Sequence, residues 1–104
     1  MFAEIKYMTE LLSVKRARDG THKYVATFLT ESGRLKHTSF GAAGMDDYTL
    51  TGDKEQRERY RKRHRKDLLT DDPTAAGYLS YYILWGPSRD VRKNIALYKS
   101  RFNV

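Results

Sequence analysis

The side chains best equipped for chemistry sit together: Arg57, Arg59, Arg61, Lys62, Arg63, Arg65 and Lys66 fall within one stretch, 54–66, of the 104-residue chain. Guanidinium forks pair with phosphate and carboxylate oxygens, and a dense array of them focuses a potential that draws a polyanion. On a helix, Arg57, Arg61 and Arg65 share a face, Lys62 and Lys66 lie beside them, and Arg59 and Arg63 sit one row over. This stretch carries +6 of a net +7, between acidic segments 41–53 and 67–86 of −3 each. Glu55–Arg59 and Glu58–Lys62 have the spacing of ordinary helical ion pairs, but two pairs leave most of the eight bases unneutralised. The like-charged neighbours Arg57–Arg61, Arg61–Arg65 and Lys62–Lys66 each cost about 0.2–0.5 kcal/mol. Such self-repulsion points to an anionic partner, either nucleic acid or an acidic protein surface. With about five phosphate contacts on a duplex, log K falls by roughly 4–5 per tenfold rise in salt.

Other chemistry is thin. His22, His37 and His64 fall in separate elements with no paired-ligand spacing, so no metal and no cofactor is expected. Ser39, Ser80, His64 and Asp67 are the types of a hydrolytic set, yet neither serine has the glycines of a nucleophile elbow, and a non-enzyme is expected. The run Phe40-Gly41-Ala42-Ala43-Gly44 precedes acids and not a helix start, and reads as a glycine-rich turn, not a phosphate cradle. Tyr78, Tyr81, Tyr82 and Trp85 have the spacing of core residues. One of Tyr81 or Tyr82 must face away from that core and mark a contact surface.

The elements that position these groups follow from local signals. Segment 1–10 is ambiguous between helix and strand. From Leu11 to Phe40, apolar runs at 12–14 and 24–28 flank Asp19-Gly20, whose chemistry suits a hairpin turn needing positive φ. A second turn at Glu31-Ser32-Gly33 leads into 34–40. Together they predict a three-stranded antiparallel meander with Tyr24, Ala26 and Phe28 facing the helices. A loop follows to Gly52. Asp53 is the expected N-cap of a basic helix from Lys54 to about Leu68, whose apolar stripe is only Tyr60, His64 and Leu68, so most of it must face water or a partner. Asp72-Pro73 predicts the start of a central buried helix, stopped by Gly86-Pro87. Ser88 is the expected cap of a last helix, with Val91, Ile95, Tyr98 and Phe102 on its inner face.

The whole chain, 1–104, is short enough to form one domain: an uncertain segment 1–10, a meander over 11–40 and a helical part over 53–104. It has no cysteine, which excludes disulfide frameworks, Cys-ligated zinc and thiol catalysis. No apolar run is long enough for a transmembrane segment, and no leader pattern opens the chain, so a soluble cytosolic protein is expected.

Phe40-Gly41, Gly44-Met45-Asp46-Asp47-Tyr48-Thr49, Asp53, Arg59-Tyr60, Arg63-His64, Gly77, Ser80, Ile83-Leu84-Trp85, Tyr98 and Phe102 together resemble a family of small basic proteins of giant double-stranded DNA viruses, including those of algae. The resemblance spans roughly residues 23–104. It implies a viral origin and a setting in the host cytoplasm, virus factory or virion, with two anionic partners at hand: the genome, and acidic patches on capsid proteins or the membrane beneath them. It implies no catalytic residues.

The expectation is therefore an α+β fold: a three-stranded antiparallel sheet packed by C-terminal helices, with an exposed basic helix. Its function would be to bind nucleic acid through backbone contacts and without sequence specificity. The alternative is a minor capsid protein that cements acidic capsid surfaces through the basic helix and the aromatic surface near Tyr81 and Tyr82.

Overall fold

The computed structural model describes residues 7–104. Three antiparallel strands, β1 (Glu10–Arg16), β2 (His22–Leu29) and β3 (Leu35–Ala42), form a meander in the order β1-β2-β3. The predicted reading of residues 1–6 lies outside the described residues. The first connection is longer than a two-residue hairpin. The Asp19 carboxylate accepts the backbone N–H groups of Thr21 and His22, and of the Asp-Gly pair only Gly20 takes positive φ. In the second turn, Thr30 N–H donates to the Arg34 carbonyl at 2.8 Å.

Pairing register separates the two faces of the sheet. Tyr24, Ala26 and Phe28 stand opposite Phe40, Thr38 and Lys36, and point toward the helices as expected. On β1, Leu11 pairs with Phe28 and Ser13 with Thr27, so Leu12 is a surplus residue. This bulge allows Leu11 and Val14, three apart, both to join the core. The outward face bears Val25, Thr27 and Leu29, and a cross-strand bond joins His37 Nδ1 to Thr27 Oγ1 at 2.9 Å.

The expected loop over 41–52 contains one helical turn, α1 (Tyr48–Thr51), while Gly41 and Ala42 extend β3. Asp47 caps α1 through Thr49 N–H. The basic helix α2 (Lys54–His64) begins at its predicted cap: the Asp53 carboxylate accepts Gln56 N–H at 3.0 Å. It stays α-helical only to His64, and Arg65–Thr70 tightens into a 3₁₀ stretch.

The central element differs from the single helix expected. Asp72 folds a turn by accepting from the Thr74 N–H and hydroxyl, so Pro73 precedes the helix instead of opening it. Helix α3 (Ala76–Leu79) passes into a π-helical turn over Ser80–Leu84, closed by Trp85 N–H on the Ser80 carbonyl at 3.0 Å. Gly86 ends it. A Cβ there would lie 2.2 Å from the Tyr82 carbonyl oxygen. Helix α4 (Val91–Phe102) is capped by Asp90, not Ser88, because the Asp90 carboxylate accepts from Arg92 and Lys93 N–H while Ser88 Oγ accepts Asp90 N–H.

The core lies between the sheet and these helices. Leu11, Ala26, Phe28, Phe40, Leu79, Ile83, Leu84 and Tyr98 are all at most 2% exposed. Each large side chain so buried contributes about 1.5–3 kcal/mol. Val91, Ile95 and Phe102 pack against this cluster with Tyr98, as their spacing predicts. The result is an α+β fold with C-terminal helices.

Candidate functional site

Each turn of α2 advances about 100° per residue, which divides its cations between two sides. Tyr60 and His64 face inward: Tyr60 stacks on Trp85 at 4.3 Å between ring centres and on His64 at 4.1 Å. Arg57 and Arg61 fall in the same half of the helix. Arg57 lies 4.4 Å over the Tyr48 ring and donates from Nη1 to the Gly86 carbonyl at 3.3 Å. Arg61 lies 4.6 Å over the Tyr81 ring and donates from Nε to the Trp85 carbonyl at 2.9 Å. Both therefore clamp α2 onto the helical layer. This corrects the expected outward stripe of Arg57, Arg61 and Arg65, of which only Arg65 is exposed.

The outward surface is built instead from Arg59, Lys62, Arg63, Arg65 and Lys66, all exposed. None has a carboxylate within ion-pair distance among the described residues. The expected pairs Glu55–Arg59 and Glu58–Lys62 do not form, and Glu58 instead meets Arg57 Nε at 3.3 Å. Lys62 and Arg63 sit in the last turn of α2, where the helix dipole offsets part of their mutual repulsion.

Beside this surface, a cleft of about 560 Å³ opens between the sheet end, the turn before α1 and α2, lined by Lys23, Asp47, Tyr60, Arg63, His64 and Ser80. Its buried charges are internally matched, whereas Arg63 is exposed and has no ion pair among the described residues. Asp47, 2% exposed, receives Lys23 Nζ at 2.5 Å as well as the Thr49 hydroxyl, while Lys23 also reaches the Met45 carbonyl. His64 Nδ1 lies 2.9 Å from the Asp67 carboxylate. Burial pushes the Tyr60 phenol above its usual pKa, and the Asp67 charge acts the same way. Of the serines considered as nucleophiles, Ser80 lies in this cleft, whereas Ser39 pairs with Val25 on the outward face of the sheet.

Neither Tyr81 nor Tyr82 turns away from the protein as expected, since the more accessible Tyr82 still packs on Tyr78, Tyr98 and Phe102. Tyr81 is 7% exposed and Tyr82 is half-buried, edge-on to Tyr81 at 4.9 Å, with Arg101 4.9 Å above its ring. Asn94 was not singled out from the sequence. It is fully buried, donates to the Ile83 and Ser88 carbonyls and accepts Ser88 N–H. Its place three residues after Val91, within the inner stripe of α4, is the signal that marks it. The Lys23–Asp47 pair had no such signal, since its partners lie far apart in the chain.

No curated protein and no solved structure matches the chain. The meander, α1 and α2 coincide with the match to a family model, which runs over residues 12–64 and includes most of the outward cationic surface. The aromatic layer over 78–102 lies beyond it. Since the matched part is half of the chain, this protein belongs to the Family of unknown function (DUF5754).

Proposed function

We propose that the protein is a non-enzymatic binder of a polyanion, and that the polyanion is nucleic acid held by its phosphates without sequence specificity. Arg59, Lys62, Arg63, Arg65 and Lys66 make the contacts. The observation that carries this reading is that these exposed cations share one helix and its 3₁₀ extension, yet have no acidic partner among the described residues. Rigid presentation supports it: the Arg57 and Arg61 clamps and the Tyr60–Trp85 stack hold α2 in place before any ligand arrives. Given the resemblance to giant-virus proteins, the polyanion is the viral genome, met in the virus factory or the virion.

A salt titration of binding to duplex DNA of arbitrary sequence tests the reading. Five phosphate contacts predict a fall of roughly 4–5 in log K per tenfold rise in salt. Changing Arg59, Lys62, Arg63 and Lys66 together to Gln removes about one unit of slope per charge. Equal binding by the wild type and this variant would overturn it.

A second reading rests on the outward face of the sheet, where Leu35, opposite Leu29, is 59% exposed. A minor capsid component would bury that face on a neighbour and set α2 against acidic capsid surfaces. It predicts ordered, stoichiometric copies in the particle and weak affinity for DNA.

A further inference from the structure

A second cleft, also about 560 Å³, lies between the π-helical turn, α4 and the flank of α2, and its lining includes Arg61, Tyr81, Tyr82, Leu97, Tyr98 and Arg101. No acidic side chain lines it. Each of its cations is mounted on a ring: Arg61 over Tyr81 at 4.6 Å and Arg101 over Tyr82 at 4.9 Å. Arg61 commits only its Nε to the protein, and Arg101 has no ion pair among the described residues. Leu97, 46% exposed, adds an apolar wall.

Charge alone would suit any anion, but the ring-mounted guanidinium groups of Arg61 and Arg101, set beside the leucine wall, also suit a flat body joined to that anion. A duplex keeps its bases stacked and paired inside, and offers such a cleft only phosphate. An unpaired strand offers both parts, because splayed bases stack on aromatic rings and guanidinium planes while their phosphates meet arginines. The volume falls in the range of sites that enclose one small ligand moiety. An acidic peptide would satisfy the charges of Arg61 and Arg101 and leave their stacking faces and Leu97 unused.

We infer that this cleft seats an unstacked base of single-stranded nucleic acid, with flanking phosphates on Arg61 and Arg101, so that the protein prefers single strands to duplex. This rests on the nucleic-acid reading and adds a site outside the outward face of α2.

The test compares the affinity of full-length protein for a labelled oligothymidine and for a duplex of equal length, at one salt concentration. Leu97→Glu brings a carboxylate to the rim and Arg101→Gln removes a cation; both positions are exposed, so neither change disturbs the core. Circular dichroism of each variant verifies its fold. The wild type should bind the single strand about tenfold more tightly, a stacking contribution of one base, and both variants should lose that margin while duplex affinity holds. Variants that bind the single strand as well as the wild type does would overturn the cleft assignment and leave the α2 reading standing. So would competition by polyglutamate, sensitive to Leu97→Glu, with no single-strand preference, since the occupant would then be an acidic protein segment. Failure of the Arg59, Lys62, Arg63 and Lys66 variant to weaken duplex binding would instead overturn the α2 reading, whatever the cleft does.

Discussion

Asn94 shows how much one side chain can hold. Its amide donates to the Ile83 and Ser88 carbonyls at 2.8 and 2.7 Å and accepts Ser88 N–H at 3.1 Å, and none of it reaches water. It thereby fastens α4 to the end of the π-helical turn and fixes the loop that starts α4. Asn94→Ala would strand these polar groups and should lower stability by about 2–4 kcal/mol in chemical denaturation. Asn94→Asp should cost more, because it points an ionised carboxylate at two carbonyls. A smaller loss for Asp than for Ala would mean that the amide donors matter little. At this scale the sequence was legible where a residue acts on near neighbours, as Asp53 does in capping α2. It was silent where the partner is distant, as with Lys23 and Asp47.

For an element, the question is which side of a helix meets the protein. The stripe of Tyr60, His64 and Leu68 correctly marks the inner side of α2, and its thinness correctly implies an exposed helix. The spacing of the charges does not mark which arginines turn inward, and Arg57 and Arg61 do. Arg57 and Arg61 flank Tyr60 and His64, and a guanidinium can lie flat on a ring and still donate to a carbonyl, so a positive charge does not force a side chain outward. Changing Arg57 and Arg61 together to Gln should therefore cost about 1–3 kcal/mol in denaturant unfolding. The slope of log K against log salt on duplex DNA should stay as it is. A reduced slope with unchanged stability would return these two residues to the binding face. The π-helical turn was not legible, because its end is held by the distant Asn94, which donates to the Ile83 carbonyl, and needs a residue without a Cβ at Gly86, neither of which is a local helix propensity.

For the whole molecule, the class and the sheet topology could be read from alternation and turn chemistry, while α1 inside an expected loop and the split of the central helix could not. The tyrosine-rich core has a consequence for pH. Burial raises the phenol pKa values of Tyr60 and Tyr98, and the Tyr98 hydroxyl donates to the Pro73 carbonyl. A raised pKa means that the folded state keeps protons which the unfolded chain releases above about pH 10. Their stabilising effect is thus complete below that pH and is lost as pH climbs further. The urea midpoint should decline above about pH 10, and Tyr98→Phe should decline less steeply while being about 1 kcal/mol less stable at neutral pH. Parallel pH profiles for the two proteins would show that Tyr98 contributes nothing to alkaline unfolding. The surplus Leu12 in β1 also acts on the molecule as a whole. Among the described residues β1 is a rim strand, the kind of edge along which a twin chain could zip, and the surplus Leu12 breaks the repeat that such zipping requires. A second copy laid against that rim would meet a strand one residue out of step with the repeat it would have to match.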